Sequence, residues 1–312
     1  MTAELPKRFT NPDAARKHLE SLLWPDGPHC PHCGVVNEAT ALKGKSTRAG
    51  VYWCNACQKP FSVTVGTVYE RSKVPLHVWL YATHLMASSK KGISSHQLAR
   101  MLGVTYKTAW FMSHRIREAM TPADESQLGG SGQIVESDEA ELGPSKHTRP
   151  RGHGNNLKFV TLIERGGRVR SRKLLTGKGE SIGAQVHGII WQNVARESTL
   201  HSDGATHYKS AWPIVQREAV NHNKQFVRMT EAGQKVHVNS AEGFFSIFKR
   251  GLVGTYQHMS AQHLERYLAE FDFRMSYRIK LGYDDAMRAD KALEGIVGKR
   301  LTYRRTHEAQ DA

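Results

Sequence analysis

Four cysteines constrain the start of this chain more tightly than any other feature. They stand as Cys30-Pro31-His32-Cys33 and Cys54-Asn55-Ala56-Cys57, with twenty residues between the pairs. Each C-x2-C turn presents two thiolates from one tight bend, and the separation falls within the range of four-cysteine zinc sites. Between the pairs Val51-Tyr52-Trp53 reads as a strand, and Phe61-Ser62-Val63-Thr64-Val65 reads as another beyond them. The pattern predicts a zinc ribbon over residues 15–68. Four thiolates complete a tetrahedral shell and leave no position for a reacting water, so the expected Zn2+ is structural. His29 and His32 flank the first pair and read as facing solvent or phosphate.

The chain carries 44 Lys and Arg against 29 Asp and Glu, a formal charge of +15 and a sequence pI near 9.7. Such an excess contributes little to fold stability and suits a polyanionic partner, with double-stranded DNA weighed against an anionic membrane surface or a merely basic soluble protein. No run approaches the ~20 apolar residues of a membrane span, and Met1-Thr2-Ala3-Glu4-Leu5-Pro6-Lys7-Arg8 lacks the apolar core of a secretory signal. The expectation is a cytoplasmic, nucleoid-associated protein without membrane contact, whose reduced cysteines hold metal rather than disulfides.

Residues 70–120 have helical periodicity. Val74 to Ala82 begins a helix with Pro75 suited to its first turn. Ser94 or Ser95 can cap a second helix, Gly103 fits a turn, and Thr105 can cap a third running to about residue 119. This is a helix-turn-helix pattern that would offer Tyr106, Lys107 and Thr108 to a major groove, with Arg115 farther along the same helix. Residues 121–132 are small, polar and glycine-rich and read as a linker.

Beyond it, residues 133–280 alternate strands and helices. Strands are expected near 133–138, 157–164, 168–176 and 198–203, with a short one at Gln225-Phe226-Val227-Arg228. Helices are expected near 181–195, 240–250 and 260–275. Three adjacent strands, a helix, a strand and later helices suit an α/β, ribonuclease-H-like layer. Residues 281–312 read as a basic C-terminal tail.

Three acids stand out in that region. Asp138 follows the apolar start of Ile134-Val135-Glu136-Ser137-Asp138-Glu139, Asp203 ends Leu200-His201-Ser202-Asp203, and Glu242 opens an amphipathic stretch that reaches Lys249. Carboxylates converging from two strands and a helix can hold a pair of divalent metals that stabilise the attacking and leaving oxygens of a phosphoryl displacement. Glu242 and Lys249 lie two helical turns apart, so the ammonium can meet substrate phosphate on the same face. Asn239 competes with Glu242 for the third place, because its carbonyl can also ligate Mg2+. Glu136 shares the Asp138 face by alternation and competes more weakly, while Glu139 should point away. Lys146, Arg149 and Arg151 lie in a glycine-containing loop after the first acidic strand and can neutralise phosphates, as can Arg250. Phe244, Phe245 and Phe248 share one helical face and read as core.

These residues resemble insertion-sequence transposases of the ISXO-like DDE type with an N-terminal zinc ribbon. His237-Val238-Asn239-Ser240-Ala241-Glu242-Gly243-Phe244-Phe245-Ser246-Ile247-Phe248-Lys249-Arg250-Gly251 is similar to that family's H-x-N-x-x-E-G-F-W-S-x-x-K-R-G signature, with Phe245 in place of tryptophan. Val135 to Glu139 resembles its first acidic motif, and Ser202-Asp203-Gly204 with Tyr208 its second. The resemblance implies a ribonuclease-H-like core using Mg2+ or Mn2+, with Asp138 and Asp203 as metal ligands and Glu242 favoured over Asn239 as the third. It implies that water cuts a DNA strand at the element's end and that the freed 3′-hydroxyl attacks target DNA. It further implies that the ribbon and helix pair read terminal inverted repeats, and that a homo-oligomer forms on DNA. The rival readings are a catalytically inactive transposase-derived DNA-binding regulator and a stand-alone nuclease or junction resolvase.

Overall fold

The computed structural model describes residues 4–123, 126–143, 157–175, 181–211, 215–221, 225–231 and 233–302. Its chain divides into two units. One comprises Met1–Ser89, Ile93–Thr121 and Tyr283–Ala312, the other Lys90–Gly92 and Pro122–Gly282.

In the first unit, the Asn11 side chain accepts the Ala14 N–H and Pro12 takes the first helical position, which starts helix α1 (Pro12–Leu23). Three short strands, β1 (Ala39–Ala41), β2 (Tyr52–Cys54) and β3 (Pro60–Phe61), form an antiparallel sheet in that order. The strand expected over 61–65 stops at Phe61. The Val65 N–H turns back to the Ser62 carbonyl and the Thr67 hydroxyl to the Thr64 carbonyl, so local turn bonds replace the ladder. Trp24 packs edge-on to Tyr52 and Phe61 at 5.5 and 5.8 Å, closing a small core around Cys30 and Cys54.

Helix α2 (Leu76–Ser88) follows Pro75. Helices α3 (Ser95–Leu102) and α4 (Tyr106–Met120) are joined across Gly103, whose φ of +65° suits a residue without Cβ. Ser94 Oγ accepts the Gln97 N–H at 3.2 Å, and Thr105 Oγ1 accepts the Thr108 N–H at 3.2 Å. Both caps fall at hydroxyl residues identifiable in the sequence.

The second unit is a mixed α/β structure. Strands β4 (Ile134–Leu142), β5 (Leu157–Glu164) and β6 (Val169–Leu174) run as an antiparallel meander. Helix α5 (Ile182–Asn193) then returns the chain to β7 (Thr199–Asp203), parallel to β4, and β8 (Gln216–Val220) adds parallel to β7. The sheet order is β6-β5-β4-β7-β8. The sequence reading contained no strand at β8. It lies at the sheet edge and only Val220 is fully buried, so its residues carry no continuous apolar signal. A separate two-residue hairpin, β9 (Arg228–Met229) with β10 (Lys235–Val236), leads to helices α6 (Asn239–Gly251) and α7 (Leu264–Ser276).

Both sheet faces are covered. Phe159, Ala140 and Leu142 pack with Phe244, Phe245 and Phe248 of α6 and Phe271 of α7. Val135, Val160, Leu162 and Leu200 pack with Val186 and Ile190 of α5. Within the stretch read as a linker, Leu128 is fully buried in this second core, and its N–H and C=O pair with Asn193 and Ala195. A large apolar side chain there outweighs the glycine-rich surroundings. Within the segment read as a basic tail, Asp284 caps helix α8 (Asp285–Glu294), which belongs to the first unit and buries Ala289, Ala292 and Leu293.

Candidate active site

Register brings the two aspartates together. β4 pairs with β7 from Ile134↔Thr199 to Ser137↔Ser202, so the next positions along the two strands are Asp138 and Asp203. Neighbouring strands lie ~4.8 Å apart, and laterally paired residues point to the same face. Asp203 does end its strand, but Asp138 sits mid-strand, because β4 continues four residues further along β5. Alternation directs Glu136, Asp138, Ala140 and Leu142 to the α6 face, where Glu242 occupies the first turn.

Burial, joined by the charges of Glu139, Asp203 and Glu242, pushes the Asp138 carboxyl up to about 7 against an opposing hydrogen bond from the Glu139 N–H. The electrostatic influence of Asp203 and Glu242 on Asp138 means that the structure brings the three acids into one neighbourhood. Oxygen donors of this kind suit hard divalent cations such as Mg2+. Asn239 is exposed at the first position of α6, and Lys249 and Arg250 are exposed near its end, with Arg250 Nε donating to the Ser246 carbonyl.

Glu136 has a role that the sequence did not reveal. It is fully buried, yet both oxygens are engaged. Oε1 accepts Arg165 Nε and Nη2 at 3.0 and 2.9 Å and Ser240 Oγ at 3.0 Å. Oε2 accepts the Ser240 backbone N–H at 2.8 Å. Arg165 also meets His201 Nδ1 at 3.2 Å and the carbonyls of Lys235 and His237. Burial and then the Arg165 charge hold His201 down to about 4, and the same causes lower His237. Its place on the Asp138 face was readable from alternation, whereas Arg165, in the Glu164-Arg165-Gly166-Gly167 turn, carried no signal. On the opposite face His207 pairs with Glu139 at 2.8 Å and Tyr208 meets Ser137 at 3.0 Å, so Glu139 does point away from Glu136.

In the other unit the four cysteine sulfurs lie within 4.8 Å of one another, with Cys30–Cys57 at 3.7 Å and Cys33–Cys54 at 3.6 Å. A tetrahedron of Zn–S bonds near 2.3 Å places sulfurs about 3.8 Å apart, so the cluster fits Zn2+. The Cys57 backbone N–H, donating to Cys54 Sγ, pulls the Cys54 thiol down to about 7, while burial pushes the Cys57 thiol up to about 12.

Of the residues expected at DNA, Tyr106 is about half exposed and stacks on His96 at 4.2 Å. Lys107 is exposed, and the Thr108 hydroxyl lies 2.9 Å from that of Thr105 within the α4 cap. Arg115 requires a correction. It is 7% exposed, donates to the Glu70 and Leu301 carbonyls at 3.0 and 3.3 Å, and lies over the Phe111 and Trp79 rings. Most of its guanidinium is thus engaged within the first unit rather than displayed like Lys107. The periodicity of α4 places it on the core side, a position that aromatic neighbours can make tolerable for arginine. Lys146, Arg149 and Arg151 lie outside the described residues.

Comparison with known proteins adds to this geometry. Residues 127–276 match the model of the ISXO2-like transposase domain, and residues 10–60 match that of the transposase zinc-ribbon domain. A Halobacterium salinarum protein described as an uncharacterized protein in transposable element ISH50 is 24% identical over 284 residues, spanning 86% of this chain and 92% of its own. A chain in the crystal structure of a pre-cleavage Mos1 transpososome is 12% identical, over 64% of this chain and 72% of that one, with a TM-score of 0.29. Among the described residues no helix is long and apolar enough to cross a membrane.

Proposed function

The chain belongs to the ISXO2-like transposases with an N-terminal zinc ribbon, and from that premise we propose that it binds the terminal inverted repeats of an insertion sequence, cuts strands at the element's ends and joins them to target DNA. The observation that carries this reading is the parallel register that makes Asp138 and Asp203 lateral neighbours, with Glu242 acting on Asp138 from α6. The order β6-β5-β4-β7-β8, with an antiparallel meander followed by parallel strands, supports a ribonuclease-H-like core.

In this reading Asp138, Asp203 and Glu242 hold Mg2+ or Mn2+, with Asn239 the other candidate for the third place. Bound there, two such ions would stabilise the entering and departing oxygens of an in-line displacement at phosphorus. Lys249 and Arg250, exposed on the same helix, meet the DNA backbone, and the ammonium offset from Glu242 by two turns neutralises phosphate beside the cut. Helices α3 and α4 act as a helix-turn-helix in which Tyr106, Lys107 and Thr108 approach a major groove. Lys146, Arg149 and Arg151 add phosphate contacts. The ribbon, with its structural zinc, completes recognition of the ends; residues 15–68 and 70–120 thus serve binding and 133–280 serve chemistry. Pairing two ends calls for a homo-oligomer on DNA, and the work is cytoplasmic, on the nucleoid.

The alternative is a regulator that binds the same DNA without cutting it. Asp138→Ala separates the two. A transposase loses strand cleavage while keeping its DNA affinity, and a regulator keeps its function.

A further inference from the structure

A buried carboxylate two residues before Asp138, on the same face of β4, takes part in none of the steps above. Glu136 is fully buried, and four donors converge on its two oxygens from two other segments of the chain. Two come from Ser240, the second residue of α6, through its hydroxyl and its backbone N–H, so the carboxylate caps one amide of that helix's N-terminus while the Asn239 N–H meets His237 Nδ1 at 3.4 Å. No side chain of the residue before the helix caps it. An anion there satisfies otherwise orphaned N–H groups and complements the helix dipole. The other two donors come from the Arg165 guanidinium. That fork also reaches the Lys235 and His237 carbonyls on the segment that enters α6, and His201 on β7, the lateral partner of Glu136.

One ion pair therefore touches each of the three elements that carry Asp138, Asp203 and Glu242. We propose that Glu136, held by Arg165, is a positioning residue: it caps α6 from outside the helix and fixes where Glu242 and Asn239 stand relative to Asp138 and Asp203. Rotating or sliding α6 on the sheet would move the third ligand, and the Ser240 contacts oppose both motions. Outer partners that orient metal ligands carry between tenfold and a hundredfold of metal affinity or activity. The inference rests on the reading of the three acids as a divalent-cation site.

The test uses the full-length, zinc-loaded chain and Mn2+ alone, titrated by electron paramagnetic resonance, with thermal melts run in parallel. Glu136→Gln preserves shape but turns an amide donor towards a cluster of donors. It should weaken Mn2+ binding by about tenfold to a hundredfold at a temperature where the melt shows it folded. Ser240→Ala removes only the hydroxyl donor and leaves the backbone cap, so it should give a smaller loss in the same direction, restored in Ser240→Thr. A purely structural role would lower the melting temperature and leave the Mn2+ affinity of the folded protein unchanged. Should Glu136→Gln fail to fold, the Ser240 pair decides the matter. Asp138→Asn is the control. If it alone weakens Mn2+ binding while Glu136→Gln and Ser240→Ala bind as wild type does, the positioning role is overturned and the metal site stands. If Asp138→Asn also binds as wild type does, the metal-site reading falls and takes this inference with it.

Discussion

Asp272 offers a quantitative check on the physics of the second unit. It is 4% exposed on α7 and accepts the Ser171 backbone N–H at 2.6 Å and the Ser171 hydroxyl at 2.7 Å, tying the helix to β6. Burial pushes its carboxyl up to about 7, more than the Ser171 hydrogen bonds and the charges of Arg172 and Arg170 pull it down. An unfolded chain releases the same proton near pH ~3.9. The folded state therefore binds more protons across that interval, and stability falls as pH rises from about 4 to about 7. Three pH units at about 1.36 kcal/mol each give about 4 kcal/mol over the whole window, of which roughly 3 kcal/mol falls between pH 5 and pH 8. For a unit of this size that is roughly 6–12 °C in melting temperature. Asp272→Asn cannot titrate. Whatever constant offset the amide introduces against Ser171, the melting temperature of the variant relative to wild type should rise by that amount from pH 5 to pH 8, measured by circular dichroism. Parallel melting curves across the range would refute the reasoning and show the two Ser171 donors holding a charged carboxylate in spite of burial.

Two further expectations concern the first unit. The isolated protein should carry one zinc per chain, released stoichiometrically when the thiols are titrated with a mercurial. Cys57→Ser should lose that zinc together with the near-ultraviolet signal of the Trp24–Tyr52 contact, and full retention of the signal without zinc would contradict a metal-built ribbon. Arg115→Ala should lower stability by roughly 2–3 kcal/mol, through lost hydrogen bonds and ring contacts, yet leave the salt dependence of DNA binding unchanged. Lys107→Ala should instead reduce the slope of log affinity against log salt by about one and leave stability nearly untouched. The reverse pattern would return Arg115 to the DNA surface.

How much of this was readable beforehand follows from which signals are local. The thiolate pairs, the hydroxyl caps at Ser94 and Thr105 and the phenylalanine face of α6 declare themselves within a few residues, and each stands where its chemistry implied. The apolar run of β5 did so too, because a strand in the middle of a two-sided sheet buries both faces. What escaped depends on partners distant in sequence. β8 is polar because it is an edge, and Leu128 is a single apolar residue in a glycine-rich stretch whose core lies sixty residues onward. Arg115 reads as a surface cation until Glu70, Phe111 and Trp79 surround it. At the site, the two aspartates were identifiable at strand positions, but their adjacency is a matter of register between β4 and β7. The same holds for Glu136. Alternation gave its face, while its work depends on Arg165, twenty-nine residues away, and Ser240, more than a hundred away.

The most direct test is a strand-cleavage and joining assay with Mg2+ or Mn2+ on DNA carrying the element's own ends. It compares wild type with Asp138→Ala, Asp203→Ala, Glu242→Ala and Asn239→Ala. The account predicts joined products from wild type, none from either aspartate variant although both still bind the ends, and loss in whichever of the last two removes the third ligand. Tight binding of those ends by wild type with no cleavage, or joining that survives both aspartate substitutions, would contradict it.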